Sequence, residues 1–335
     1  MIFDSENPNI PPDYRKERAA MRRLIQDAEI GKSGGLPGIP CGLVALDRIT
    51  NCWSNSTLNV IAGAPSMGCT SLLLAFMRNA VTHFKREVAF FSLQMPCQKL
   101  LTKWLSIDME LPFHKLATGQ FPDHQWYEIS KLLPDWDRDL DNLVRIIDTP
   151  APTIGKIVAD CRRLREEGTE LFLIDNINRI TLGKRERAIC TNRTQELSYI
   201  ARRLKTLALE LEAPFVVVSN LNRAGADRIP RPQLSDLRDS GAIENEADTV
   251  VLLYRAEYYG HTDDDFGNFT HNRAELIVAK NTFGTLDTAS VEFMSAYGRF
   301  GDLPEDEHDA YPPPALVAPF PFTGPKANRM DDPPF

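Results

Sequence analysis

The sequence predicts an α/β protein, with a mainly parallel sheet covered by helices on both faces. Three observations predict it. Short apolar runs of strand length recur from about residue 40 to residue 300, separated by stretches of helical periodicity. The first run, Thr57 to Ala62, leads into Gly63-Ala64-Pro65-Ser66-Met67-Gly68-Cys69-Thr70 and then a helix-like stretch from Leu72 to Phe84. Strand, glycine-rich loop and helix in that order form the setting of a phosphate-binding loop. A later run, Leu171-Phe172-Leu173-Ile174, ends on Asp175, a carboxylate where a parallel strand would stop.

Taken in order, residues 1–12 are polar and proline-bearing. Residues 13–29 read as one helix, N-capped by Asp13 after Pro11-Pro12, with a narrow apolar stripe of Tyr14, Met21, Leu24, Ile25 and Ala28. Gly31 to Gly38 reads as a flexible linker, which makes residues 1–38 an N-terminal arm. A short helix tethered in this way is marginal alone, so its stripe is expected to dock on its own domain or on a neighbouring subunit. The expected strands are Leu58–Ala62, Val88–Leu93, Leu143–Ile147, Leu171–Ile174, Phe215–Ser219, Thr249–Tyr254, Ala274–Ala279 and Ser290–Phe293. Between them, residues 197–211 give the cleanest helix, with Leu197, Ile200, Ala201, Leu204, Leu207, Ala208 and Leu211 on one face. The later strands follow one another closely, as an antiparallel edge would. These elements make 39–301 one domain. Residues 302–335 contain nine prolines and almost no periodicity, and read as a disordered tail.

Composition narrows the function classes. With 43% apolar and 25% charged residues, the 335-residue chain fits a soluble globular protein. No apolar run approaches the roughly 20 residues needed to cross a bilayer, and residues 1–6 lack a secretory pattern. No membrane partner is expected. Six cysteines without a C-x-x-C pair suggest neither a zinc site nor a disulfide framework, so a cytoplasmic setting is expected. Of the net charge of −8, the tail holds −5 (seven acidic side chains against two basic), which leaves about −3 for the rest. A body so near neutral leaves room for a local basic stripe.

The loop carries the chemistry, with one substitution. The pattern G-x-x-x-x-G-K-[ST] requires lysine where this chain has Cys69. Backbone amides and the Thr70 hydroxyl remain able to hold phosphates and a magnesium ion, and Asp175 supplies the acidic partner of that ion. ATP or another nucleoside triphosphate with Mg2+ is therefore the expected cofactor, with Thr70 and Asp175 as the metal-side residues.

Several further stretches stand in a telling order: Pro65-Ser66-Met67-Gly68, Phe91-Ser92-Leu93-Gln94-Met95-Pro96, Leu173-Ile174-Asp175, Asn192-Arg193-Thr194, Ser219-Asn220-Leu221-Asn222-Arg223, and Ser235 through Glu244. On these, residues 39–300 resemble the RecA-like motor domain of bacterial replicative helicases of the DnaB type. The resemblance implies a RecA-like P-loop NTPase core and an ATP-dependent DNA helicase ancestry. It assigns the nucleotide to Gly63, Pro65, Ser66, Met67, Gly68, Cys69, Thr70, Asp175, Asn220 and Lys280. The departures from the family pattern fall on catalysis. The family glutamate that activates water is Gln94, the gripping lysine is Cys69, and the sensing glutamine is Asn220. The family Lys-Gln-Arg stretch, which acts on a neighbouring subunit, is Lys280-Asn281-Thr282, so the lysine survives and the arginine finger is Thr282. An amide cannot take a proton from water at neutral pH, and an arginine finger is worth about 10³–10⁵ in rate. Turnover is expected to be negligible.

The same resemblance places single-stranded DNA at Lys184, Arg185 and Arg187, read as a basic loop, and at Arg238, Asp239 and Gly241. On the resemblance, the family's N-terminal collar domain is not expected in these residues, and the 13–29 helix is expected to correspond to the linker helix that packs against the next subunit. A homo-oligomer or insertion into a helicase ring is expected from this. Finally, Asp331-Asp332-Pro333-Pro334-Phe335 resembles the tip of single-stranded-DNA-binding proteins, Asp-Asp-x-Pro-Phe. Asp331, Asp332, Pro334 and Phe335 are thus expected to recruit proteins that recognise such tips. The leading reading is a DnaB-like replication scaffold with a hydrolysis-deficient site. An active replicative helicase and a RecA-like recombination mediator on single-stranded DNA are the alternatives.

Overall fold

The structure is a computed structural model; it describes residues 21, 38–221, 231–263 and 269–303. The expected helix at 13–29 lies outside the described residues apart from Met21, the linker apart from Gly38, and the tail beyond residue 303. The chain divides into two units, Met1–Asp302 and Leu303–Phe335, and the sheet and its helices belong to the first.

Nine strands form one sheet: β1 (Leu58–Gly63), β2 (Val88–Ser92), β3 (Val144–Ile147), β4 (Leu171–Asp175), β5 (Phe215–Asn220), β6 (Thr249–Tyr254), β7 (Arg273–Asn281), β8 (Thr288–Met294) and β9 (Arg299–Gly301). Their spatial order is β3-β2-β4-β5-β1-β6-β7-β8-β9. The pairs from β3 to β6 are parallel, and those from β6 to β9 are antiparallel. All eight expected runs are strands, and the closely spaced late ones form the antiparallel edge. Leu93 and Leu143 are corrections: Leu93 lies just past the end of β2, and Leu143 ends the preceding helix, which passes directly into β3. The three-residue β9 was not expected. It is too short to show a period and is held by pairing with β8, with Phe300 opposite Phe293.

The helices are α1 (Val44–Thr50), α2 (Cys69–Thr82), α3 (Cys97–Asp108), α4 (Phe113–Thr118), α5 (Asp123–Leu143), α6 (Ile154–Glu166), α7 (Lys184–Arg187), α8 (Arg193–Leu211) and α9 (Gly241–Glu246). Side chains alternate between two cores, one on each face of the sheet. Ile61, Phe90, Leu173, Val216, Val218, Val251 and Leu253 pack towards α2 and α3. Val60, Ala62, Phe91, Phe172, Ile174, Val217 and Leu252 pack towards α6 and α8. Burial on both faces explains why the central strands read as unbroken apolar runs. Each valine, leucine, isoleucine or phenylalanine among them contributes about 1.5–3 kcal/mol on burial.

Helix α8 follows its predicted face: Leu197, Ile200, Ala201, Leu204, Leu207 and Ala208 are buried, and Leu211 is half-buried. It starts where Asn192 accepts a hydrogen bond from the Gln195 amide at 2.9 Å, and the Gln195 side chain returns to the Thr191 amide at 2.8 Å. Helix α2 is buried nearly all round, because it runs between the sheet and helices α3 and α5.

Candidate nucleotide site

Strand register brings the motifs together. Gly63, the last residue of β1, pairs with Asn220 at the end of β5 and with Leu253 near the end of β6. Ser92 at the end of β2 pairs with Asp175 at the end of β4. The loop after β1, Gln94, Asp175 and Asn220 therefore meet at the carboxyl rim of the sheet, where parallel α/β sheets leave a crevice. Gly68, with φ +108°, turns the loop into α2, whose first turn has no side-chain cap. That leaves its amides free for an anion. A side chain at Gly63 would have no room, since its Cβ would fall 2.7 Å from Cys69 Sγ.

Asp175 is fully buried behind the loop. Its carboxylate accepts from Thr70 Oγ1 at 2.8 Å and from Gln94 Nε2 at 3.0 Å. Burial raises its pKa, against the lowering effects of Thr70, Gln94 and the Lys103 charge. Burial and Asp175 together push the Cys69 thiol up to about 12, so the position of the loop lysine holds a neutral group. Beside these, Asn176 Nδ2 donates to Asn220 Oδ1 at 2.6 Å, and the Asn220 amide donates to Asn178 Oδ1 at 3.1 Å.

The loop opens on a cleft of about 520 Å³, a size suited to a nucleotide. It is also lined by residues the sequence did not single out: Lys103 on α3, Arg255 after β6, Phe293 on β8, and Tyr297. Arg255 is 8% exposed, and its Nε has no hydrogen-bond partner among the described residues. Its guanidinium lies 4.2 Å over the Phe293 ring. Among the described lining residues there are two cations, Lys103 and Arg255, and no carboxylate. The chemistry of this donor set fits a magnesium polyphosphate. Loop amides and two cations could face such an anion, and the Thr70 hydroxyl on the buried Asp175 carboxylate is the pair that could hold the metal.

Of the expected nucleotide residues, Gly63, Pro65, Ser66, Gly68, Cys69 and Thr70 line the cleft with Gln94 and Asn220, and Asp175 stands directly behind Thr70. Met67 turns inward and is 1% exposed. Lys280 and Thr282 are not brought to the cleft. Lys280 pairs with Val250, at the opposite end of β6 from Leu253. Its Nζ donates to the Glu244 carbonyl at 2.8 Å, and Thr282 Oγ1 donates to the Asp248 carbonyl at 3.0 Å.

Lys184, Arg185 and Arg187 are exposed on α7, a one-turn helix rather than the expected loop, with Arg187 3.6 Å from Glu196. Arg238 and Asp239 lie in a 3-10 segment, Leu234–Ser240, and Gly241 opens α9; the side chains at 238 and 239 lie outside the described residues. Asp331, Asp332, Pro334 and Phe335 are outside them as well. Among the described residues no helix is long and apolar enough to cross a membrane.

Residues 38–302 match the model of the DnaB-like helicase C terminal domain. The chain belongs to that family. This DnaB-like chain is 35% identical over 286 residues to the replicative DNA helicase DnaB of Geobacillus stearothermophilus, covering 84% of this chain and 60% of that protein. It is 34% identical over 285 residues to the replicative DNA helicase DnaC of Bacillus subtilis, again covering 84% and 60%. It thus spans about three-fifths of the length of these curated relatives. Among solved structures, the ATPase domain of G40P superposes with a TM-score of 0.76 at 27% identity, covering 88% of this chain and 100% of that one. A DnaB-like replicative helicase, studied with its interactions with primase, gives 0.73 at 28% identity, covering 84% and 66%. The RecA-like core implied by the motifs is the fold of this DnaB-like domain.

Proposed function

We propose that the chain is a helicase-like component of DNA replication that holds a magnesium nucleotide without hydrolysing it at a useful rate. It serves as a DNA-binding or helicase-associated scaffold. The observation that carries this reading is Gln94. Where the family pattern has the water-activating glutamate, an amide is hydrogen-bonded to Asp175, and no described cleft-lining residue is a carboxylate. Bound magnesium would neutralise phosphate charge, held by Thr70 and Asp175. The loop amides would hold the phosphates, and the neutral Cys69 adds no charge to them. Losing one charge-assisted hydrogen bond costs about 1.5–3 kcal/mol, which weakens binding without abolishing it. Losing the base and the arginine finger bears on rate far more.

Ring membership, single-stranded DNA along α7 and the 235–244 segment, and recruitment of partners by Asp331, Asp332, Pro334 and Phe335 complete the proposal. They rest on the resemblance to ring-forming helicases and to single-stranded-DNA-binding-protein tips. An active ATP-dependent helicase would need a proton acceptor from a neighbouring subunit.

The test measures nucleotide binding and phosphate release side by side for the native chain and for the Cys69→Lys, Gln94→Glu double variant. Binding without release by the native chain, with release partly restored in the variant, is the expected result. Comparable release by both, with single-stranded DNA present, contradicts the reading.

A further inference from the structure

We propose that Lys103 supplies, from α3, the positive charge that the phosphate loop lacks, so that the cleft holds a nucleoside triphosphate with its terminal phosphate against this ammonium. The inference rests on the nucleotide reading of the cleft and names the residue that makes it workable.

Three observations carry it. First, Lys103 lines the same cleft as the loop from Gly63 to Thr70, although it comes from a different element. The stripe Leu100, Trp104 and Ile107 buries α3 against the core, and Lys103 stands at the edge of that stripe, half-buried and turned to the cleft. Second, its ammonium makes no hydrogen bond or ion pair among the described residues. A half-buried lysine without an acceptor carries a desolvation cost that a bound anion offsets. Third, it stands on the side of the cleft marked by Gln94 and Asp175. Burial lowers its pKa, and the Asp175 carboxylate, beyond ion-pair distance, raises it. The other lining cation, Arg255, is committed to the Phe293 ring, and Phe293 in turn packs near Gly68. Lys103 lies with Asp175 and Gln94, the residues that would stand beside the magnesium ion and the terminal phosphate.

The charge has moved rather than vanished. A lysine at position 69 would come from the loop itself; Lys103 comes from α3. A ligand without the terminal phosphates would not reach it. Dependence on Lys103 should therefore appear with nucleoside triphosphate and be nearly absent with nucleoside monophosphate.

The experiment is equilibrium binding of fluorescent ATP and AMP analogues, with magnesium, to the full chain. The proteins are the native form, Lys103→Met, Lys103→Arg, and the double variant Cys69→Lys, Lys103→Met. Melting of each ligand-free variant controls for folding, and Lys103→Gln replaces Lys103→Met if the latter does not fold. Lys103→Met is expected to weaken ATP binding about 10- to 100-fold, the loss of one charge-assisted hydrogen bond. It should alter AMP binding by less than about 2-fold. Lys103→Arg should keep most of the affinity, and the double variant should regain it through the loop. Unchanged ATP affinity in Lys103→Met overturns this inference alone, as does an equal loss for ATP and AMP. A native chain that binds neither ligand overturns both the inference and the nucleotide reading on which it rests.

Discussion

Cys69 sets the character of the site at the scale of single residues, because it places a half-buried neutral thiol where the family pattern has a charge. With its pKa pushed up to about 12, the thiolate fraction at pH 8 is on the order of 1 in 10⁴. Cys69 should therefore resist iodoacetamide in the folded protein at pH 8 and react on denaturation, as read by peptide mass spectrometry. Rapid labelling of native protein would contradict its placement. Asp175 gives a second test. Burial holds its folded pKa above the ordinary carboxyl value, so the protonated form favours the fold at low pH. That contribution is lost as pH rises through the folded value. Asp175→Asn should thus raise the melting temperature of the ligand-free protein relative to native, by more at pH 7 than at pH 4. It should also abolish stabilisation by magnesium nucleotide. A lower melting temperature at pH 7 argues against the assignment. Thr70, Asp175, Gln94 and Asn220 were legible in the sequence because each stands at or after the end of a strand in a recognisable local pattern. Lys103, Arg255 and Phe293 were not, since they reach the cleft from α3, from beyond β6 and from β8 through tertiary packing, with no spacing to announce them.

Elements were more legible than walls of the cleft. Strands buried on both faces must be apolar throughout, so β1, β4, β5 and β6 declared themselves as runs. Helix α8 declared itself by its face. Leu143 misled because it is apolar at a junction where α5 passes into β3 without a turn. The basic segment at 184–187 misled because four charged residues in a row carry no period. Polar groups tie the elements into register. Asp248 accepts from the Leu58 amide at 2.7 Å and from Lys205 Nζ of α8 at 2.7 Å, and its carbonyl receives the Thr282 amide at 2.9 Å. The carboxylate thereby fixes the start of β1 against α8. Asp248→Ala leaves the largely buried Lys205 ammonium without its carboxylate, with only the Ser56 carbonyl at 3.0 Å, and should cost about 3 kcal/mol in urea unfolding. A change below about 0.5 kcal/mol would mean that this link is solvated and dispensable.

At the scale of the whole molecule, the cleft and the Lys280–Thr282 segment lie at opposite ends of β6, so within one chain the segment does not reach the cleft. The same scale decides DNA binding. A few exposed bases on α7 should give weak, salt-dependent affinity for single strands. Replacing Lys184 and Arg185 by alanine should reduce the slope of log affinity against log salt by about 1.4, at about 0.7 per phosphate contact. An unchanged slope removes α7 from the interface. The proposal that this fold holds nucleotide without cleaving it is checked most sharply by steady-state phosphate release from the pure native chain. The assay uses saturating ATP, magnesium and single-stranded DNA, with nucleotide occupancy measured in the same sample. An occupied site with release no faster than the buffer blank is expected. Turnover on the order of 1 s⁻¹ or above, the ordinary range of working enzymes, would contradict it.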